Sequence, residues 1–212
     1  MNKKENISNS VIRRLPRYYR FLRDLKENGI SRTSSSELSQ QMGLTASQIR
    51  QDLNCFGEFG QQGYGYNVDY LYSEICRILD LSRKSRAILI GAGNLGKAIA
   101  FHMDFENSGF RLIGVFDRNE NVIGRQLLNL EVKSMDGLKA FCGEKRPEAA
   151  FLCIPKESAG KLAEDLIRYG VKAFWNFSHY DFGLSHPGVA VENVYLSDSL
   201  MTLSYQLKEA AK

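Results

Sequence analysis

Paired cysteines are missing from this sequence. Cys55, Cys76, Cys142 and Cys153 are scattered singly, with no C-x-x-C spacing. That argues against a zinc site and against a disulfide framework, and leaves each thiol to be read as a small buried apolar residue. The three histidines, His102, His179 and His186, show no ligand spacing, so no metal is expected. No apolar run approaches the ~18 residues that a membrane span needs. The opening MNKKENISNSV lacks the apolar core of a signal peptide, so a cytoplasmic location is expected. Internal repeats and low-complexity segments are absent as well. What is present is ordinary for a globular protein: 43% hydrophobic and 25% charged residues over 212 positions, enough for one large domain or two small ones.

Charge is unevenly placed. The net charge is +4, but residues 1–86 hold 14 basic against 9 acidic side chains, and residues 87–212 hold 14 against 15. Residues 1–30 alone carry eight basic side chains and three acids. A basic first segment on a near-neutral remainder suggests a polyanion partner, although a solvated charged surface has the same composition.

The first segment reads as helices. PRYYRFLRDLKENG has Pro16 suited to a first turn, Tyr18, Tyr19, Leu22 and Leu25 at helical spacing, and Gly29 to end it. In SSSELSQQMG, Ser34 and Glu37 have capping-box spacing and Gly43 stops the helix. Thr45 and Gln48 repeat the box at the start of TASQIRQDLNCF, where Ile49, Leu53 and Phe56 form the inward stripe. Ser47, Gln48, Arg50, Gln51 and Asn54 face the other way. Two short capped helices joined by a tight turn fit a helix-turn-helix, whose second helix enters the major groove. Arginine reads guanine edges, and glutamine and asparagine read adenine edges. A plain helical hairpin with a solvated face fits the pattern equally well. GEFGQQGYGY, at 57–66, then suits a β-hairpin able to lie close to a surface, a wing after the recognition helix. VDYLYSEICRILDL is a further amphipathic helix.

The character changes near LSRKSRA, 81–87. Beyond it, AILIGAG, RLIGVFD, EAAFLCIP, VKAFWNF and VAVENVYL read as strands, with helices NLGKAIAFHMDFE after the first and SAGKLAEDLIRYG after the third, which predicts a doubly wound parallel sheet. GAGNLG at 91–96 follows the first strand and opens a helix, the context that makes a G-x-G-x-x-G informative. Gly91 permits the turn, Gly93 admits a pyrophosphate, Gly96 allows close helix packing, and Ala92, Asn94 and Leu95 complete the loop. Asp117 ends the second strand, placed for ribose hydroxyls and therefore for NAD(H) over its 2′-phosphorylated form, while Arg118 softens that preference. Beyond the last strand only the helix DSLMTLSYQLKEAAK remains, so no substrate domain supplies an acid or base, and an oxidoreductase is disfavoured.

RLPRYYRFL, SRTSSSELSQQMGLTASQIRQDL, CFGEFGQQGYGY, GAGNLG, IPKESA, NF and VENV, in this order, together resemble the Rex family of redox-sensing transcriptional repressors. The resemblance spans nearly the whole chain. It implies a winged-helix domain at 1–84, a Rossmann domain at 85–196 holding NAD(H), and a helix at 197–212 exchanged between subunits of a homodimer. It further implies a palindromic operator released when NADH replaces NAD⁺. By position it assigns Arg50 and Gln51 to DNA contact, and the outward-facing Ser47 and Asn54 are candidates beside them. The wing residues Gln61, Gln62, Gly63, Gly65 and Tyr66 go with them. The resemblance matches Gly91, Gly93, Gly96 and Asp117 to the dinucleotide site, with the loop's other residues, Arg118, His102 and Pro155 as candidates beside them. It matches Arg20 to a contact linking the domains, for which Tyr195 and Asp198 are the candidate partners. Several positions depart from the family pattern. Gln51 replaces a usual lysine, and Gln61 and Gln62 replace a common Lys-Arg pair. His102 stands for a tyrosine, and Tyr195 for the aspartate that partners the arginine equivalent to Arg20. Asp198 lies three residues beyond Tyr195. The departures predict weaker nonspecific DNA affinity and a response to NADH that is weakened, altered or lost, with pH dependence if His102 lies near the nicotinamide.

Overall fold

The first helix, α1 (Asn9–Glu27), starts seven residues before the proline that was expected to open it. Ser8 caps it by accepting from the Val11 amide, and Pro16 is accommodated inside the helix. The computed structural model describes residues 7–57, 59–61, 64–182 and 186–210, the side chain of Gln61 excepted. The chain divides into one unit ending at Ser82 and a second beginning at Arg83.

In the first unit, α2 (Ser35–Met42) has the full capping box at Ser34 and Glu37 and ends at Gly43 with φ +61°. The next helix, α3 (Ala46–Asn54), is capped by Thr45 alone. The Gln48 side chain, expected to close a second box, bonds Asp52 instead. A three-stranded sheet in the order β1-β3-β2 combines Arg32–Thr33 (β1), Gly60–Gln61 (β2) and Gly65–Asn67 (β3). Its partner, α4 (Val68–Ile78), packs with α1. Leu15, Tyr18, Leu22, Leu38, Met42, Ile49, Leu53, Leu71 and Ile75 form the core. These are the residues that recur at helical spacing, so amphipathic packing accounts for the fold.

The second unit is a seven-stranded sheet in the order β10-β9-β8-β4-β5-β7-β6. The strands are β4 (Ser85–Ile90), β5 (Phe110–Asp117), β6 (Gln126–Leu127), β7 (Leu130–Ser134), β8 (Ala149–Leu152), β9 (Ala173–Asn176) and β10 (Ala190–Asn193). All pair in parallel except β6, which forms an antiparallel hairpin with β7. Leaving β6 aside, the parallel strands follow the 3-2-1-4-5-6 order of a dinucleotide fold. Neither hairpin strand was anticipated. The last strand is shorter than expected because the final helix already begins at Leu196. On one face lie α6 (Leu138–Lys145) and α7 (Lys156–Arg168), and on the other α5 (Asn94–His102). The α5 face stays partly open: a groove of about 490 Å³ runs among Met103, Phe105, Phe110, Phe151, Trp175 and Val191. The closing helix, α8 (Leu196–Ala210), buries none of its side chains against its own chain.

Candidate functional site

The loop from β4 to α5 answers why three glycines are needed, and for different reasons. Gly91 has φ +97°, and a Cβ there would run into the Cys153 carbonyl. A Cβ at Gly96 would strike the carbonyl of Gly91. The protein's own packing demands both. Gly93 has open space where its Cβ would stand, so the protein's own packing does not require glycine there. It is also the N-cap of α5 and offers no capping side chain. The first-turn N–H groups and the positive end of the helix dipole are therefore unshielded, a setting for phosphate.

Asp117 closes β5 beside this loop. Its Oδ2 accepts from the Ala92 amide at 2.6 Å and its Oδ1 from the Asn119 amide at 2.8 Å. Two backbone donors fix the carboxylate's direction, and each oxygen keeps a further lone pair for a hydroxyl. Gly91, Gly93, Asp117, Arg118 and Pro155 come together in one cleft of about 360 Å³. Pro155 is the N-cap of α7. Arg118 is exposed and reaches Ser158 Oγ at 3.4 Å. Ala92 is buried, and Leu95 and Asn94 are exposed on the first turn of α5. Asn119, Met135, Cys153, Ile154, Ser158 and Leu162 also line the cleft. They lie at the ends of distant strands and helices, where no local spacing singles them out. Burial pushes the Cys153 thiol up to about 12, so it is not a ready nucleophile. His102, a candidate above for the dinucleotide, closes α5 exposed to solvent and is not among the lining residues. Tyr195 is half-buried with its ring 5.2 Å from that of His179. Asp198 is exposed in the first turn of α8, and Arg20 is exposed on α1. Among the described residues no group of three or more His, Cys, Asp or Glu could hold a metal, and no helix is long and apolar enough to cross a membrane.

In the first unit, α3 presents Ser47, Arg50, Gln51 and Asn54 on its exposed side. Arg50 Nη1 donates to Ser35 Oγ at 2.9 Å, which ties it to the start of α2. The hairpin pairs Gly60 with Tyr66 and Gln61 with Gly65. Gly65 is required there: its φ is +68° and a Cβ would strike the Thr33 carbonyl. Gln62 and Gly63 lie outside the described residues. Tyr66, expected among the DNA-contacting side chains, is only 7% exposed. Pairing with Thr33 turns its ring into the core, so it supports the hairpin from behind. Tyr64 is the outward aromatic, with the Arg32 guanidinium 5.8 Å from its ring centre. Cys55, after α3, is exposed rather than buried.

Comparison with known proteins follows the same two units. Residues 6–54 match a family described as the N-terminus of a putative DNA-binding protein, and residues 82–180 match a CoA-binding domain family. The redox-sensing transcriptional repressor Rex of Thermoanaerobacter pseudethanolicus is 51% identical over 209 residues, which span 99% of this chain and 93% of that one. The chain belongs to the Rex family of redox-sensing transcriptional repressors. Rex of Clostridium beijerinckii is 48% identical over 99% of both chains. RSP, a Rex-family repressor, superposes with a TM-score of 0.89 in its complex with β-NAD⁺ and operator DNA. The match is 50% identical and covers 97% of this chain and 94% of that one. In its complex with β-NADH the score is 0.88 at 47% identity, covering 97% and 96%. Within this Rex-family chain the Rossmann-type unit belongs to a repressor, not to an enzyme.

Proposed function

We propose that the chain represses transcription from a palindromic operator, and that NAD(H) held in the cleft of the second unit sets its affinity for DNA. The observation that carries this reading is the near-complete likeness to RSP, which has been solved with β-NAD⁺ and operator DNA, and with β-NADH. The pyrophosphate lies over Gly93 at the start of α5, and the ribose hydroxyls donate to Asp117. On the DNA side, Arg50, Gln51, Ser47 and Asn54 enter the major groove, and the hairpin bearing Gln61 to Gly65 follows the backbone or minor groove. Neutral Gln51, Gln61 and Gln62 release no counterions, which lowers the salt dependence of binding. A homodimer matches the operator's two-fold symmetry. The exposed Leu200, Leu203 and Leu207 of α8, together with the open groove beside Trp175, are the apolar surfaces such a dimer covers. A cytoplasmic location goes with that reading.

Tyr195 supports a second element of the reading. Position 195 carries a phenol in place of the carboxylate that the arginine equivalent to Arg20 pairs with, and the nearest acid, Asp198, lies three residues on in the first turn of α8. The differential affinity that drives release is smaller than with an aspartate at 195. Fluorescence anisotropy on a labelled operator, titrated with NAD⁺ and then NADH at fixed salt, tests both parts. Release by NADH is expected, and Tyr195→Asp widens the gap between the two nucleotides.

A further inference from the structure

A charge lies inside the apolar stripe of α3. Asp52 falls between Ile49 and Leu53 on the helix's buried side, and its side chain is 1% exposed. It is fully satisfied: Arg14 Nε donates to Oδ2 at 2.6 Å, Arg14 Nη2 to Oδ1 at 2.7 Å, Tyr18 Oη to Oδ2 at 2.9 Å, and Gln48 Nε2 to Oδ1 at 2.8 Å. Burial alone would raise the carboxyl's pKa, yet Arg14, Gln48 and Tyr18 hold it below its ordinary value. Arg14 and Tyr18 are one turn apart on α1. Between them Arg17 Nη2 donates to the last carbonyl of α2, that of Met42, at 2.5 Å. One face of α1 therefore grips both members of the helix-turn-helix from behind with directional bonds.

Apolar contacts allow a helix to roll by a fraction of a turn at small cost, because they are non-directional. A bidentate guanidinium–carboxylate pair does not, since both bonds must stay in plane. Base-edge hydrogen bonds need their donors placed to within a few tenths of an ångström. Rolling α3 about its axis would shift Arg50 and Asn54 together, while phosphate contacts, being less directional, would tolerate it.

We propose that Asp52 is a positioning residue for operator reading: through Arg14 and Tyr18 it sets the roll of α3 and so the discrimination between operator and other DNA. It does not touch the DNA. The inference rests on α3 being the recognition helix. Asp52→Asn keeps the shape and two acceptor sites but turns an N–H₂ toward the Arg14 guanidinium, which faces it donor to donor.

The test starts with a palindromic duplex selected by the wild-type protein from a randomised pool, and a scrambled duplex of the same composition. Affinities are measured well below each variant's melting temperature. Asp52→Asn is expected to lower the ratio of operator to scrambled affinity about tenfold. Affinity for the scrambled duplex and its salt slope should stay at wild-type values, since no phosphate contact is lost. Tyr18→Phe, which removes one bond and leaves the ion pair, lowers the ratio less and in the same direction. A merely structural role would reduce both affinities together. Wild-type discrimination in folded Asp52→Asn overturns the proposal. If that variant does not fold, wild-type discrimination in Tyr18→Phe overturns it. A wild-type protein that selects no duplex at all contradicts the repressor reading beneath it, and does so before any substitution is made.

Discussion

Two aspartates, Asp52 in the first unit and Asp117 in the second, are held in opposite ways. Asp52 is satisfied by side chains from a second helix and is closed to solvent. Asp117 is satisfied by two backbone amides of its own neighbourhood and stays half-buried at a cleft. A carboxylate bonded to distant side chains fixes one element against another. A carboxylate bonded to nearby amides shapes a turn and keeps lone pairs for a ligand. In the functions proposed above, the first orients a helix and the second receives a ligand.

Removing each should separate those roles. Asp52→Ala leaves Arg14 without its buried partner and is expected to destabilise the protein by about 3–5 kcal/mol in urea unfolding. Asp117→Ala should cost about 1–2 kcal/mol by the same measure, because its amide donors can turn to water. Its larger effect is on NAD(H) affinity, read by titration calorimetry. Equal stability losses would erase the distinction. The glycines sharpen it further. Gly96→Ala forces α5 away from the Gly91 carbonyl and should cost about 1–3 kcal/mol. Gly93→Ala should keep wild-type stability, since nothing in the chain stands where its Cβ would go, and lose more than about tenfold in nucleotide affinity. Gly93→Ala with full nucleotide binding would mean that the phosphates lie elsewhere.

Two smaller effects concern the DNA-reading side. Arg50→Ala should reduce operator discrimination by about 1–3 kcal/mol with little change in fold. Full selectivity in that variant would point to another helix. The pH dependence of stability is smaller still. Asp52 has a depressed pKa when folded, so its stabilisation is complete above about pH 5 and is lost as pH falls below about 4, through the folded value. The stability gap between wild type and Asp52→Asn should therefore narrow in acid. A gap independent of pH between about 3 and about 7 would remove any role for the ionised carboxylate.

Much of this was legible from local spacing. The Ser34–Glu37 box, the Gly43 stop and the glycine loop are determined by neighbours within a few residues, and they stand where the sequence puts them. What escaped notice depends on distance along the chain. Asp52 meets Arg14 and Tyr18, 38 and 34 residues away. The one clue was a charge at an inward position of the stripe Ile49, Leu53, Phe56. The inward position of Tyr66 has no local signal, because only pairing with Thr33 turns its ring into the core. Strand β7 was missed because Glu131 and Lys133 alternate with apolar residues over just five positions, too short a run to stand out. The cleft's far wall, at Ser158 and Leu162, exists only once α7 is laid on the sheet.

The claim that joins both units is that nucleotide redox state governs DNA binding. The most direct measurement is the operator's dissociation constant in the presence of saturating NAD⁺ and of saturating NADH, at one salt concentration. The account predicts weaker operator binding with NADH than with NAD⁺ and unchanged affinity for a scrambled duplex. Identical operator affinity in the two states, with both nucleotides demonstrably bound, would contradict it.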